Sequence, residues 1–217
     1  MLSLNEMRNS IYLDFEGEGR SRDGITPKPC MAGVFRPNTT GNSGSYNCVF
    51  FQKSWEAAAN GITNAEQVDF DYFFSTLLME LKLKSGFLVF WTEHEKKMLE
   101  MFLPSELLKR IEPFFYNIHP PAKKYLNKKK LFDEGITATG KSLEECYAVI
   151  YPKREVAFEL KPGPAETCRR IESACKNEGW GRFSDTQKNY VKNLVKYNEG
   201  DCRSTWLIAK KVIGNYQ

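Results

Sequence analysis

The segment Ile11-Tyr12-Leu13-Asp14-Phe15-Glu16-Gly17 alternates apolar Ile11, Leu13 and Phe15 with two carboxylates, Asp14 and Glu16. A period of two marks a β-strand with unlike faces. The three apolar side chains bury one face, and both acids project together from the other. Like charges side by side on a strand repel and reduce stability unless something positive stands between them. A divalent metal ion is the usual solution. The same seven residues therefore begin a sheet and mark a candidate metal site.

The neighbouring segments extend the sheet. Residues 30–36 and 45–52 also read as strands, separated by stretches rich in Gly, Pro, Asn, Ser and Thr from Arg20 to Pro29 and from Arg36 to Gly44. Links that short favour an antiparallel meander. A helix follows, with Asn64 as its cap, Gln67 reaching back, and Phe70, Phe73, Phe74, Leu77, Leu78 and Leu81 on one buried face. The run Phe87-Leu88-Val89-Phe90-Trp91 after Gly86 is apolar throughout, as in a strand covered on both faces and reached by a crossover helix. A second helix runs from Thr92 or Glu93 to near Pro104, with a short helical piece after it. Phe114 to Ile118 reads as another buried strand and Leu143 to Ile150 as a short helix ended by Pro152. Two more helices begin near Ala165 and Ser184. The expected class is α/β: a mixed sheet, its first three strands antiparallel and the later ones parallel, flanked by helices, in one domain spanning residues 1–217.

Composition narrows the setting. The chain has 217 residues, 41% hydrophobic and 13% aromatic, enough for a packed core. No run approaches the ~18 apolar residues that span a bilayer, and Met1 to Ser10 lacks the apolar core of a signal peptide. A soluble, cytoplasmic protein with no membrane partner is the expectation. The net charge of +4 permits nucleic-acid binding without requiring it. Lys123, Lys124 and Lys128 to Lys130 form either a solvated face or a phosphate-contacting patch. Six cysteines without a close CxxC pair, and only two histidines, point away from structural zinc and toward free thiols.

Two further acids stand out. Glu95 precedes Met98, Leu99 and Phe102 at i+3, i+4 and i+7, so it shares their inward stripe. Thr92-x-x-Glu95 is also a capping box, which would occupy the carboxylate with local donors. Tyr197 and Asp201 fall on one helical face with Leu194, Thr205 and Ile208. The alternative is a surface or capping aspartate where Gly200 breaks the helix.

Taken in order, three blocks resemble the DEDD-type 3′–5′ exonucleases of the ribonuclease H-like superfamily, in the predicted ribonuclease H-like exonuclease branch. Tyr12-Leu13-Asp14-Phe15-Glu16-Gly17 is similar to the first-strand acid pair. Val89 to Leu99 is similar to the strand-to-helix motif that bears the third acid. Tyr197-Asn198-Glu199-Gly200-Asp201 is similar to the tyrosine variety of the final motif. The chain departs from the pattern in carrying Glu95 where aspartate is common, and Trp91-Thr92 where His-Asn is usual.

The resemblance implies a ribonuclease H-like fold and a nuclease that hydrolyses phosphodiester bonds of DNA or RNA with two Mg²⁺ or Mn²⁺ ions. Hard cations favour oxygen ligands, which suits four acids without a His/Cys cluster. It further implies that Asp14 bridges both ions, that Glu16 and Asp201 complete the nucleophile-side ion, and that Glu95 supports the second. Tyr197 would orient the attacking water, and Gly17 and Trp91 would lie beside substrate. A second reading keeps the fold without turnover, as a nucleic-acid-binding or scaffold subunit of a larger protein complex. The third is nucleotide binding, because Gly135 to Ser142 matches the P-loop pattern. The mostly charged Lys128 to Glu134 does not supply the buried strand that such a loop needs. Ser142 with Glu145 serves equally as a helix cap.

Overall fold

The computed structural model describes residues 2–20, 23–128, 142–152, 160–176 and 179–214. In chain order its elements are α1 (Leu4–Asn9), β1 (Ile11–Glu16), β2 (Met31–Pro37), β3 (Gly44–Phe50), α2 (Glu56–Ala59), β4 (Ala65–Gln67), α3 (Phe70–Lys84), β5 (Leu88–Phe90), α4 (Glu93–Phe102), α5 (Ser105–Ile111), β6 (Phe115–Asn117), α6 (His119–Lys128), α7 (Leu143–Ile150), α8 (Pro164–Cys175) and α9 (Asp185–Gly214).

The strands form one six-stranded mixed sheet in the order β4-β3-β2-β1-β5-β6. β1 pairs antiparallel with β2, and β2 with β3, while β1–β5, β5–β6 and β3–β4 are parallel. This is the antiparallel-then-parallel arrangement read from the sequence, and it is compatible with a ribonuclease H-like sheet. β1 occupies the interior, between β2 and β5. Its register sets Asp14 opposite Gly33 and Glu16 opposite Met31.

The two faces of β1 belong to separate cores. Ile11, Leu13 and Phe15 join Phe70, Phe74, Leu77 and Leu81 of α3 and Leu99 of α4. Phe15 meets the Phe70 and Phe74 rings at centroid distances of 6.2 and 6.0 Å. Each such buried side chain contributes about 1.5–3 kcal/mol, which anchors this face of the strand. Tyr12 points the other way, into the core formed with α6, α7, α8 and α9. Asp14 and Glu16 share that second direction and face α9.

Two sequence expectations need correction, the cap of α3 and the burial of β6. α3 is capped by Asp69, whose side chain accepts from the N–H groups of Asp71 and Tyr72, and not by Asn64. Asn64 has φ 61° and leads into β4, a three-residue strand that pairs through its backbone alongside β3. β6 is half-buried rather than buried, because it lies at the sheet edge. α9 runs unbroken through Gly200, so a helix break does not explain Asp201. α6 begins at His119 despite Pro120 and Pro121, since the first turn of a helix needs no N–H there. Lys123, Lys124 and Lys128 lie on its exposed side, opposite buried Ala122, Tyr125 and Leu126.

Among the described residues, no helix is long and apolar enough to cross a membrane. Ser142 caps α7 by accepting from the Glu145 N–H at 3.1 Å. The remainder of the P-loop-like segment, with Lys129 and Lys130, lies outside the described residues.

Candidate metal centre

The α9 face of β1 delivers Asp14 and Glu16 to the helix that carries Tyr197 and Asp201. Asp14, Glu16 and Asp201 each offer a carboxylate oxygen, and these oxygens all lie within 4.8 Å of one another. Glu16 and Asp201 are both 6% exposed, while Asp14 is half-buried. Oε1 of Glu16 and Oδ1 of Asp201 are buried, with no hydrogen-bond partner among the described residues. Among the described residues no lysine or arginine forms an ion pair with Asp14, Glu16, Glu95 or Asp201.

Electrostatics makes that arrangement costly when ionised. Two unit charges separated by 4.8 Å repel by about 3 kcal/mol at an effective dielectric constant of about 20. Three such pairs reach about 10 kcal/mol, comparable to the whole stability of a domain, about 5–15 kcal/mol. Either protons or cations must compensate.

The ionisation tendencies agree. Burial, followed by the charges of Glu16, Asp201 and Glu95, drives the Asp14 carboxyl well above its ordinary range. Burial and then Asp201 push Glu16 up to about 8. Burial and then Glu144 push Asp201 up to about 7, against a hydrogen bond from Tyr197. Burial and then Asp201 also raise the Tyr197 phenol.

Glu95 stands outside the 4.8 Å set. It is 5% exposed, and its charge still raises Asp14, Glu16 and Asp201. Its Oε2 accepts from the Thr92 N–H at 3.1 Å and the Thr92 hydroxyl at 2.9 Å. The sequence left capping and a place in the cluster as alternatives for Glu95; the geometry shows the cap, with the carboxylate outside the tight set.

A cleft of about 660 Å³ opens beside Glu16, between the loop that leaves β1, the exposed side of α4 and the start of α8. Arg20 and Lys97 supply cationic groups to its wall and His94 an imidazole, with Phe15, Met98 and Pro29 as apolar surface. Gly17 lines this cleft; a Cβ there would make only ordinary contacts with Pro29 Cα at 3.6 Å and Cys30 N at 3.9 Å, so packing does not demand glycine. Trp91 does not line it. It is 6% exposed and packs on His119 with ring centroids 4.9 Å apart, so its indole is a core group with little surface for a ligand.

Sequence reading missed the groups that hold Asp14. Asn198, fully buried on α9, donates from Nδ2 to Asp14 Oδ2 at 2.7 Å and to the Asp14 carbonyl at 3.3 Å. The Tyr46 hydroxyl of β3 donates to Asn198 Oδ1 at 2.9 Å. Gly33 of β2 leaves space for this amide, because a Cβ there would sit 1.6 Å from Asn198 Oδ1. One signal was available: Asn198 precedes Asp201 by three residues, on the same side of a helix. A lone glycine inside a strand pattern, as at Gly33, also signals close approach by another group.

No family model, curated protein or solved structure matches this chain. The chemistry of the site rests on its own geometry.

The grouped ligand atoms are all oxygens, and among the described residues Glu16 and Asp201 each keep one buried oxygen without a hydrogen-bond partner and form no ion pair with a lysine or arginine. That donor set suits a hard divalent cation such as Mg²⁺ or Mn²⁺ and does not suit a thiolate-seeking metal.

Proposed function

We propose that this protein is a metal-dependent nuclease of ribonuclease H-like type, hydrolysing phosphodiester bonds of DNA or RNA, with 3′–5′ exonuclease polarity. The observation that carries the reading is the meeting of Asp14 and Glu16 with Asp201, from opposite ends of the chain, within 4.8 Å and, among the described residues, without an ion pair to a lysine or arginine. The sheet order supports it, since β1 is interior and flanked by one antiparallel and one parallel neighbour.

Asp14, Glu16 and Asp201 would hold the divalent cations, with Glu95 contributing from α4. When bound, such ions lower the pKa of water and neutralise charge that develops on phosphoryl oxygens. Tyr197, hydrogen-bonded to Asp201, would orient the attacking water through its hydroxyl. Burial and then the charge of Asp201 raise its pKa, which keeps the phenol protonated and able to donate. Arg20, His94 and Lys97 would face substrate phosphates in the adjoining cleft.

The test is incubation of end-labelled single-stranded DNA and RNA with Mn²⁺, with and without EDTA. The expected result is stepwise shortening by the wild type, stopped by EDTA and absent in Asp14→Asn and Asp201→Asn. Equal degradation by wild type and variants, or none by the wild type, rejects it.

One observation favours a second reading, a nucleic-acid-binding or scaffold subunit with the same fold and no turnover. Glu95 lies outside the tight set and is engaged by Thr92. Mn²⁺ that leaves the melting temperature unchanged supports that reading.

A further inference from the structure

We propose that Asn198 is a positioning residue that clamps the two halves of the carboxylate site together and aims Asp14 at a divalent cation. This rests on the metal-dependent reading above and extends it to residues outside the acid set.

The acids arrive on separate elements, Asp14 and Glu16 on β1 and Asp201 on α9. Asn198 joins the two. Its Nδ2 donates to both the side chain and the backbone carbonyl of Asp14, at 2.7 and 3.3 Å, so it fixes the carboxylate and the strand at once. With Oδ2 held in this way, the Asp14 carboxylate is fixed beside Glu16 and Asp201, within whose 4.8 Å set one of its oxygens lies.

The amide has two chemically different ends, and its orientation follows from its neighbours. The Tyr46 hydroxyl donates to Oδ1 at 2.9 Å, and the Cys202 thiol approaches the same oxygen at 3.9 Å. The NH₂ end is thereby left for Asp14. Gly33, opposite Asp14 in the ladder, completes the cradle because any Cβ would overlap Oδ1. Three adjacent strands thus supply the surroundings of one helical side chain. Hydrogen-bond partners of metal-binding carboxylates orient them and tune affinity, and their loss typically reduces metal affinity or activity about 10- to 100-fold.

The experiment compares full-length wild type, Asn198→Ala and Tyr46→Phe by Mn²⁺ titration with electron paramagnetic resonance, steady-state cleavage of a single-stranded oligonucleotide, and urea denaturation. Asn198→Ala should bind Mn²⁺ about 10- to 100-fold more weakly. Its kcat should fall at least about 10-fold with KM within about 3-fold of wild type. Tyr46→Phe, which removes one hydroxyl, should shift both in the same direction by less, and it decides the matter if Asn198→Ala does not fold. Folded variants with wild-type Mn²⁺ affinity and kcat overturn the clamp and leave the nuclease reading standing. A wild type that binds Mn²⁺ but cleaves nothing rejects the nuclease reading, while weaker Mn²⁺ binding by the variants still supports the clamp. A wild type that binds no Mn²⁺ overturns both.

Discussion

Glu95 accepts two hydrogen bonds from Thr92 through a single oxygen, Oε2, at 3.1 Å from the backbone N–H and 2.9 Å from the hydroxyl. The bond to the backbone N–H is one half of a capping box that starts α4. The charge of the same carboxylate reaches Asp14 and Asp201. The cap and the proposed part of Glu95 in the site are therefore separable by substitution. Glu95→Gln keeps an acceptor for Thr92 and should hold stability within about 0.5 kcal/mol, whereas Glu95→Ala should lose about 1 kcal/mol. Both should reduce cleavage at least about 10-fold. Urea denaturation and turnover measurements check this, and a fully active Glu95→Gln would reduce Glu95 to a cap.

The buried acids predict an unusual stability profile in EDTA. Folded-state values of about 7 for Asp201 and about 8 for Glu16 lie above the ordinary carboxylate range. A group whose pKa is raised by folding stabilises the fold below its unfolded value, about 4, and loses that contribution as pH rises through the folded value. Urea stability in EDTA should therefore fall between about pH 5 and about pH 8, on the order of 1 kcal/mol per pH unit. Saturating Mn²⁺ should flatten the slope, and Asp201→Asn in EDTA should exceed wild type near the alkaline end. A flat or rising profile in EDTA contradicts the burial of ionisable, unpaired acids.

Gly33 offers a packing test that touches no acid. A Cβ would stand 1.6 Å from Asn198 Oδ1 and 2.8 Å from the Tyr46 ring, so one of them must move. Gly33→Ala should cost about 1–3 kcal/mol or more, read from the urea midpoint. Wild-type stability would mean that the cradle yields easily.

Lys97 lies exposed on α4 in the wall of the cleft. Lys97→Ala should raise KM for single-stranded substrate without lowering kcat. The slope of log affinity against log salt should decrease by about 0.7, as expected on losing one phosphate contact. An unchanged salt slope would remove Lys97 from the substrate path.

Much of the fold is legible from local pattern. The alternation at Ile11 to Glu16, the α3 stripe from Phe70 to Leu81 and the apolar run at Leu88 to Phe90 each encode their own period and burial. β4 escapes notice because Ala65, Glu66 and Gln67 carry no apolar signature and pair through their backbone. α6 escapes because two prolines in its first turn resemble a loop. The acids could be nominated from their own segments, since each belongs to a strand or helix pattern. The Asn198–Asp14 and Asn198–Tyr46 hydrogen bonds could not, because they join residues 184 and 152 positions apart and exist only after folding. Trp91 is the converse: the family resemblance implied substrate contact there, whereas its indole is buried in the core.

Calorimetric titration of Mn²⁺ into the EDTA-treated and dialysed chain tests the carboxylate cluster most directly. The account predicts saturable binding of two ions per wild-type chain and loss of that binding in Asp14→Asn. Heats that are the same for wild type and Asp14→Asn, or no binding by either, would contradict a cation site built from these acids.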